Sequence, residues 1–409
     1  MTNRRSSTAM IIGALSAVAL AACSSPTNNA SPQRQPSQST ASAVQPAARG
    51  VEAPAASIPW RQVGPGWLLA TWTPAVSHMP GVPLAPGEPE RATSSTKLYL
   101  VDPVGGRYLI TTFGPPGDKA GPELVDWSAD GSQALFYTPG AHQPNTLVDL
   151  HTGAQTQLTV DGHARFSGPD GKALLVTKQV DTSGRSSLVR VDLNGDRQLN
   201  YRTENMTGKF TGSYLTTPDG TRLVLGTSAG MALIGNDGTA GPSLPVSGQS
   251  GCDPVRWWDD QSDPVVVAVC DSSEHKGKSL WAVPINGGAP TALTKPNDGQ
   301  SGPDYGDMDA WKLPSGTFVQ AQGACGVVFL AKINADGSTT KVDVPNTEGS
   351  VGVIGTNGGH LYLHAMTGCG GGKSLLDYDP AANTSTVLLG PPVIDGGVTD
   401  VLLYHGRPQ

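Results

Sequence analysis

The chain has 409 residues, 15% of them charged, with 27 Lys and Arg against 34 Asp and Glu and a formal net charge of −7. This mildly acidic balance, with no polybasic run, argues against nucleic acid or an anionic membrane surface as the principal ligand. Such a length also exceeds what one ordinary hydrophobic core supports, so the chain must divide its core among repeated units or domains.

The N-terminus carries Arg4-Arg5, an apolar run from Ala9 to Ala22, and then Cys23. The run is shorter than the roughly 20 residues needed to cross a bilayer, so residues 1–22 read as an export signal. Its end, Leu20-Ala21-Ala22-Cys23, resembles the lipobox of bacterial lipoproteins. That resemblance implies cleavage before Cys23 and acylation of its thiol, which would hold the protein to the outer face of the cytoplasmic membrane. The alternative is an ordinary signal peptide with an incidental cysteine.

Residues 23–57 are rich in Ser, Pro, Gln and Ala and lack aromatic side chains. Such a segment buries too little apolar surface to offset its ordering entropy and is expected to be a lipidated, flexible tether. Composition shifts at Ile58-Pro59-Trp60, where the folded domain, residues 58–409, is expected to begin.

Within that domain a period of about 43 to 50 residues recurs, the range of propeller blades. One mark is an apolar strand ending in Val-Asp and a glycine turn: Val101-Asp102 to Gly105, Val148-Asp149 to Gly153, Val191-Asp192 to Gly195. Looser copies end at Gly238, Gly288, Gly337 and Ala381. A second mark is the turn Ser128-Ala129-Asp130-Gly131, repeated as Ser167-Gly168-Pro169-Asp170-Gly171 and Thr217-Pro218-Asp219-Gly220. The strands that follow, such as Ala134-Leu135-Phe136-Tyr137 and Ala173-Leu174-Leu175-Val176, are continuously apolar, as befits strands buried on both faces. Asp or Asn with Gly supplies the positive φ of tight hairpins. Each unit reads as four strands, A to D, and the whole as an all-β, seven-bladed β-propeller of four-stranded antiparallel blades, with six or eight as neighbouring counts. The final segment, Val398 to Tyr404, reads as a strand that pairs into the first blade and closes the ring. Its rival role is a fifth strand on the last blade.

The Ser-x-Pro-Asp-Gly turns resemble the WD40-like repeats of TolB-type propellers. With the lipobox and the tether, the chain resembles the propeller lipoproteins of actinobacteria. The resemblance implies a fold and an envelope location, but propellers host many unrelated functions. No separate α/β domain precedes the repeats, unlike TolB itself.

Four cysteines follow Cys23. Cys252 and Cys270 lie equally far from Gln261 and face each other if that residue centres a hairpin. Cys325 and Cys369 occupy matching places in neighbouring units, and the expectation is Cys252–Cys270 and Cys325–Cys369 disulfides. The other connectivities and a metal site are alternatives, the latter disfavoured by the absence of CxxC or His spacing.

Ligands of propellers usually meet the face where D–A and B–C loops converge. Segments entering strand A carry Gln249 and Asp253, the near-copy Gln300 and Asp304, Asp307, Glu123, His163, Lys209 and Glu348. A ring of carboxylates with Gln and Ser would suit a cation, an amine or a sugar; as plain solvated loop residues they would bind nothing. Trp257, Trp258, Trp281 and Trp311 would either stack on sugars or fill space between blades. No Gly-x-Ser-x-Gly elbow or His-Glu-x-x-His pair is present, so no catalytic residue, metal or cofactor is assigned. The expected function is that of a monomeric, non-enzymatic binding or scaffolding propeller for a protein, peptide or glycan of the envelope. The alternative is a carbohydrate-active hydrolase or lyase using carboxylates on the loop face.

Overall fold

A computed structural model describes residues 50–75, 83–140, 144–168, 171–180, 184–258, 264–272, 277–295, 306–323, 327–366, 373–390 and 396–405. Cys23, Gln300, Asp304, Cys325 and Cys369 lie outside the described residues.

The elements are almost entirely strands. The first sheet contains β1 (Glu52–Pro54), β2 (Leu68–Thr73), β3 (Thr96–Val101) and β4 (Arg107–Phe113). Four strands follow as β5 (Glu123–Trp127), β6 (Gln133–Tyr137), β7 (Asn145–Asp149) and β8 (Gln155–Leu158). The next four are β9 (His163–Phe166), β10 (Ala173–Gln179), β11 (Ser186–Asp192) and β12 (Arg197–Tyr201). One larger sheet holds β13 (Phe210–Thr216), β14 (Arg222–Thr227), β15 (Gly230–Gly235), β16 (Ala240–Leu244), β17 (Gln249–Trp257), β18 (Val265–Ser272), β19 (Lys278–Pro284) and β20 (Thr291–Ala292). Two four-stranded sheets complete the series: β21 (Asp307–Leu313), β22 (Gly316–Gln322), β23 (Val328–Ile333) and β24 (Thr339–Lys341), then β25 (Val351–Asn357), β26 (His360–Met366), β27 (Lys373–Asp379) and β28 (Thr384–Leu389). The last strand, β29 (Gly397–Leu403), returns to the first sheet.

This is the architecture of a β-propeller: repeated antiparallel meanders, each packed on the next. The four-strand reading holds along the described residues, but the hydrogen-bonded sheets among them number six, not seven. Two meanders merge because the register of β13 on β14 jumps between Phe210 and Tyr214. Thr227 at the end of β14, opposite Phe210 of β13, also pairs with Cys252 of β17.

The turn motifs work as short polar locks. The Asp219 carboxylate accepts from the Thr217 hydroxyl and from the backbone N–H and hydroxyl of Thr221. The Thr217 hydroxyl, and after it the Thr221 N–H, hold that carboxyl below its ordinary range. Asp130 takes the same role with Ser128 and Ser132. These repeated aspartates therefore shape hairpins.

The apolar runs are explained by period two. Ala134 and Phe136 face a core shared with Leu69, Leu98, Leu100 and Tyr108 of the preceding sheet, whereas Leu135 joins Leu174 and Val176 of the following one. In the same way Leu175 packs with Leu223 and Leu225, and Val224 with Val266 and Ala268. Each buried Leu or Val contributes about 1.5–3 kcal/mol relative to exposure, so both faces of a middle strand must be apolar.

The C-terminal strand behaves as expected. β29 lies antiparallel on β2, pairing Leu403 with Leu68 and Val398 with Trp72. It becomes the innermost strand of the first sheet, whose order is β1-β4-β3-β2-β29. Val398, Val401 and Leu403 share a core with Tyr362, Leu375, Leu388 and Leu389 of the last sheet, so the seam between first and last units is filled. His364 of β26 adds a hydrogen bond to the Val398 carbonyl at 2.9 Å. Gly396, at φ +91°, admits this approach; a Cβ there would collide with the Thr73 carbonyl.

The fold begins earlier than Ile58. Glu52–Pro54 forms β1, parallel to β4, and the Glu52 carboxylate accepts the Tyr99 hydroxyl at 2.6 Å. The extended, polar segment thereby covers an outer edge that would otherwise be open.

Cys252 and Cys270 sit directly opposite on β17 and β18 and form a disulfide. Their sequence separation of 18 residues corresponds to about 3 kcal/mol of stabilisation in the chain-entropy account. Replacing both by Ser is expected to lower the urea-unfolding free energy by roughly that amount. An unchanged midpoint would show that the bridge constrains nothing in the unfolded chain.

Candidate functional site

The inner strand of each unit is an edge strand facing the centre, and it is irregular almost everywhere. Register shifts fall between Ala70 and Trp72, Leu124 and Asp126, Phe210 and Tyr214, Pro254 and Arg256, Asp307 and Asp309, and Val353 and Gly355. Among the innermost pairings only β9–β10 keeps one register. Bulges leave backbone groups without ladder partners and re-aim side chains.

Polar side chains on the inner strands, and Gln320 on the second strand β22, supply the missing partners. The Asp126 carboxylate accepts from Phe166 N–H of β9 at 2.6 Å and from its neighbour Trp127. Asp400 of β29 accepts from the Leu124 N–H of β5 and from the Thr71 hydroxyl. Gln320 accepts from Val353 N–H at 2.6 Å and donates to the Val351 carbonyl. Asp309 grips Arg256 through two hydrogen bonds of 2.5 and 2.6 Å, and that guanidinium lies 4.3 Å from the Trp311 ring centre. The contacts to Phe166, Leu124, Val353, Val351 and Arg256 each join one unit to its neighbour.

Burial pushes the Asp126 carboxyl up to about 6, against the pull of Arg165 and of the Phe166 and Trp127 N–H groups. Burial likewise raises Asp400, against Thr71, Leu124, Lys373 and Thr399. His405, just beyond β29, is pushed down by burial and then by the charges of Arg256 and Arg165. Asp126 and His405 therefore both feel the charge of Arg165.

A cavity of about 590 Å³ opens beside this belt. Its wall includes His163, Arg165, Lys178, Gln179, Ser213 and Tyr214. The Tyr137 and His163 rings lie 4.4 Å apart within it. A smaller cavity of about 220 Å³ is lined by Glu123, Lys373, Thr399 and Asp400, among others. Both involve the first residues of inner strands, so both lie at the end where D–A and B–C loops converge.

The expected site residues separate accordingly. His163 and Glu123 line the cavities. Gln249 and Asp253 lie on β17 beside the larger cavity, whose lining from that strand is Pro254 and Val255. Asp253 accepts the Thr211 hydroxyl and ties β17 to β13. Asp307 is buried at the start of β21, and Glu348 is exposed before β25; neither lines a cavity. The lining of the larger cavity, among the described residues, is basic and hydroxylated, while Asp253 is used in a contact between strands and Glu348 is exposed. The tryptophans fill space: Trp311 is buried, Trp257 donates to the Thr216 carbonyl, and Trp258 and Trp281 pack on neighbouring cores.

Asp126, Arg165 and Arg256 are the residues missed in the sequence. Each directly precedes an aromatic residue of an inner strand: Trp127, Phe166 or Trp257. That recurring charged–aromatic pair was the available signal.

No family model matches the chain, and no curated protein matches it in sequence. Solved structures with a similar fold include TolB from Acinetobacter baumannii, with 14% identity, a TM-score of 0.42, and 82% of this chain matched to 66% of that one. Apo AztD from Citrobacter koseri matches with 11% identity and a TM-score of 0.43 over 83% of this chain and 98% of its own. Oligopeptidase B from Leishmania major gives 10% identity and a TM-score of 0.48 over 81% of this chain but only 49% of its own length.

A raised carboxyl keeps its proton to higher pH in the fold than in the unfolded chain. Between 3.8 and about 6, Asp126 therefore makes stability fall as pH rises. In Asp126→Asn the amide oxygen still accepts from Phe166, but this pH-dependent loss, on the order of 3 kcal/mol, is removed. Urea midpoints for both proteins on either side of that window measure it. A pH dependence identical to the parent's would contradict the assignment.

Proposed function

We propose that the chain is a non-enzymatic binding or scaffolding β-propeller of the cell envelope, which meets its partner at the D–A and B–C loop face. The observation that carries this reading is the 590 Å³ cavity at that end of the inner strands, within the 300–1,000 Å³ range of ligand sites. The half-buried carboxylates Asp126, Asp400 and Asp309 are already engaged by backbone N–H groups or Arg256, which favours binding over acid–base chemistry.

The ring is read as seven units, the eight-stranded sheet being two blades joined by the Thr227–Cys252 bridge. What supports this is that the buried apolar residues among those described form seven clusters, each shared by consecutive four-strand units.

In this reading residues 1–22 direct export, Cys23 carries the lipid, and the polar segment after it lets the loop face reach its partner. The origin is of the actinobacterial lipoprotein type, and the propeller acts as a monomer on a protein, peptide or glycan of the envelope. Cys23→Ser is expected to move the protein from the membrane fraction to the soluble one and to abolish palmitate labelling. Retention on membranes without label would remove the lipid anchor.

A photo-reactive residue at Lys209 or Glu123, on the loop face, is expected to cross-link envelope components. The same residue at Asp237 or Asp336, in turns between outer strands, is not. Equal yields from both ends, or yields from the turns alone, would contradict the assigned face.

A further inference from the structure

The larger cavity departs from the charge of the chain around it. The protein carries a net charge of −7, yet the side chains lining this cavity that can bear charge are all basic: His163, Arg165 and Lys178. No carboxylate lines it. Three acids lie nearby and are accounted for. Asp161 pairs with Lys178 at 2.6 Å, Asp253 accepts the Thr211 hydroxyl, and Asp126 accepts two backbone N–H groups.

Arg165 stands apart from the other arginine of the belt. Arg256 is neutralised by two-point contact with Asp309 and stacked on Trp311. Arg165 has no ion pair within 4.0 Å among the described residues, although its charge acts on Asp126, Tyr214 and His405. Its planar donors reach a cavity whose wall also offers Thr177, Ser213 and Gln179, and the flat Tyr137–His163 pair. A guanidinium without a carboxylate ion-pair partner among the described residues, on the wall of a concave site, is suited to two-point binding of a carboxylate or phosphate. The hydroxyl and amide groups suit a polar body attached to that anion.

We propose that this cavity takes a small anionic ligand, a carboxylate or phosphate on a hydroxylated body such as a sugar acid or sugar phosphate, with Arg165 as its anion anchor. Lys178 is a secondary cation, its charge already shared with Asp161. The inference rests on the loop-face reading above and specifies the ligand class of that site.

Isothermal titration calorimetry of the full chain with four sugars of one ring type tests it: glucose, glucuronate, glucose 6-phosphate and glucosamine. Glucuronate or glucose 6-phosphate is expected to bind at least about tenfold more tightly than glucose, the effect of one charge-assisted contact. Whichever of the two binds more tightly identifies the anion as carboxylate or phosphate. Arg165→Gln is expected to abolish that advantage, and Lys178→Gln to reduce it less. Thermal transitions matching the parent keep folding defects apart from binding.

Equal affinity for glucose and the two anions, no effect of Arg165→Gln, or no binding of any sugar at millimolar concentration would overturn the proposal. Preference for glucosamine would overturn the anion assignment while leaving the cavity as a binding site. Failure of all four sugars together with absent loop-face cross-linking would remove the binding face itself.

Discussion

A propeller must satisfy the backbone of strands that have a neighbour on one side only. Each inner strand faces the centre, and a buried amide or carbonyl without a partner costs about as much as a lost hydrogen bond. In this protein most inner strands are also bulged, which frees further groups. Asp126, Asp400 and Gln320 accept N–H groups from the inner strand of the next unit, and Asp309 holds Arg256 of the previous one. The ring is therefore tied at its centre by charge-assisted and amide hydrogen bonds, and around them by apolar clusters between the sheets.

This constraint also shapes the candidate site. Carboxylates spent on backbone donors are withdrawn from the cavity, and burial raises Asp126 and Asp400. The cations are treated unequally: Arg256 is fixed by Asp309, while Arg165 keeps its donors for the cavity. An acidic protein thus acquires a basic pocket without any surplus of basic residues, simply through which charges its scaffold consumes.

Much of the fold was legible in the sequence. The Asp-Gly turns are local signals, and runs such as Ala134 to Phe136 are apolar because both faces of a middle strand are buried. Closure by β29 followed from the need to cover an edge, and the Cys252–Cys270 pairing from hairpin symmetry. The joining of β14 to β17 was not legible, because it depends on a three-residue excursion at Thr211–Ser213 that no local pattern marks. Nor was β1, whose short polar sequence is a strand only because β4 offers it an edge. At the site, His163 and Glu123, each the first residue of its strand, line cavities. Asp253 and Asp307 are in neither lining, since residues entering one strand point alternately toward the centre and toward a neighbouring sheet.

The central claim is that carboxylate and amide side chains satisfy the inner backbone across neighbouring units. Native-state hydrogen exchange at the Leu124, Phe166 and Val353 amides tests it most directly. Held by Asp400, Asp126 and Gln320, these three should exchange as slowly as amides of the middle strands, although they lie on the innermost strands of their sheets. Exchange as fast as that of the exposed turns would show that the inner strands are not tied to one another.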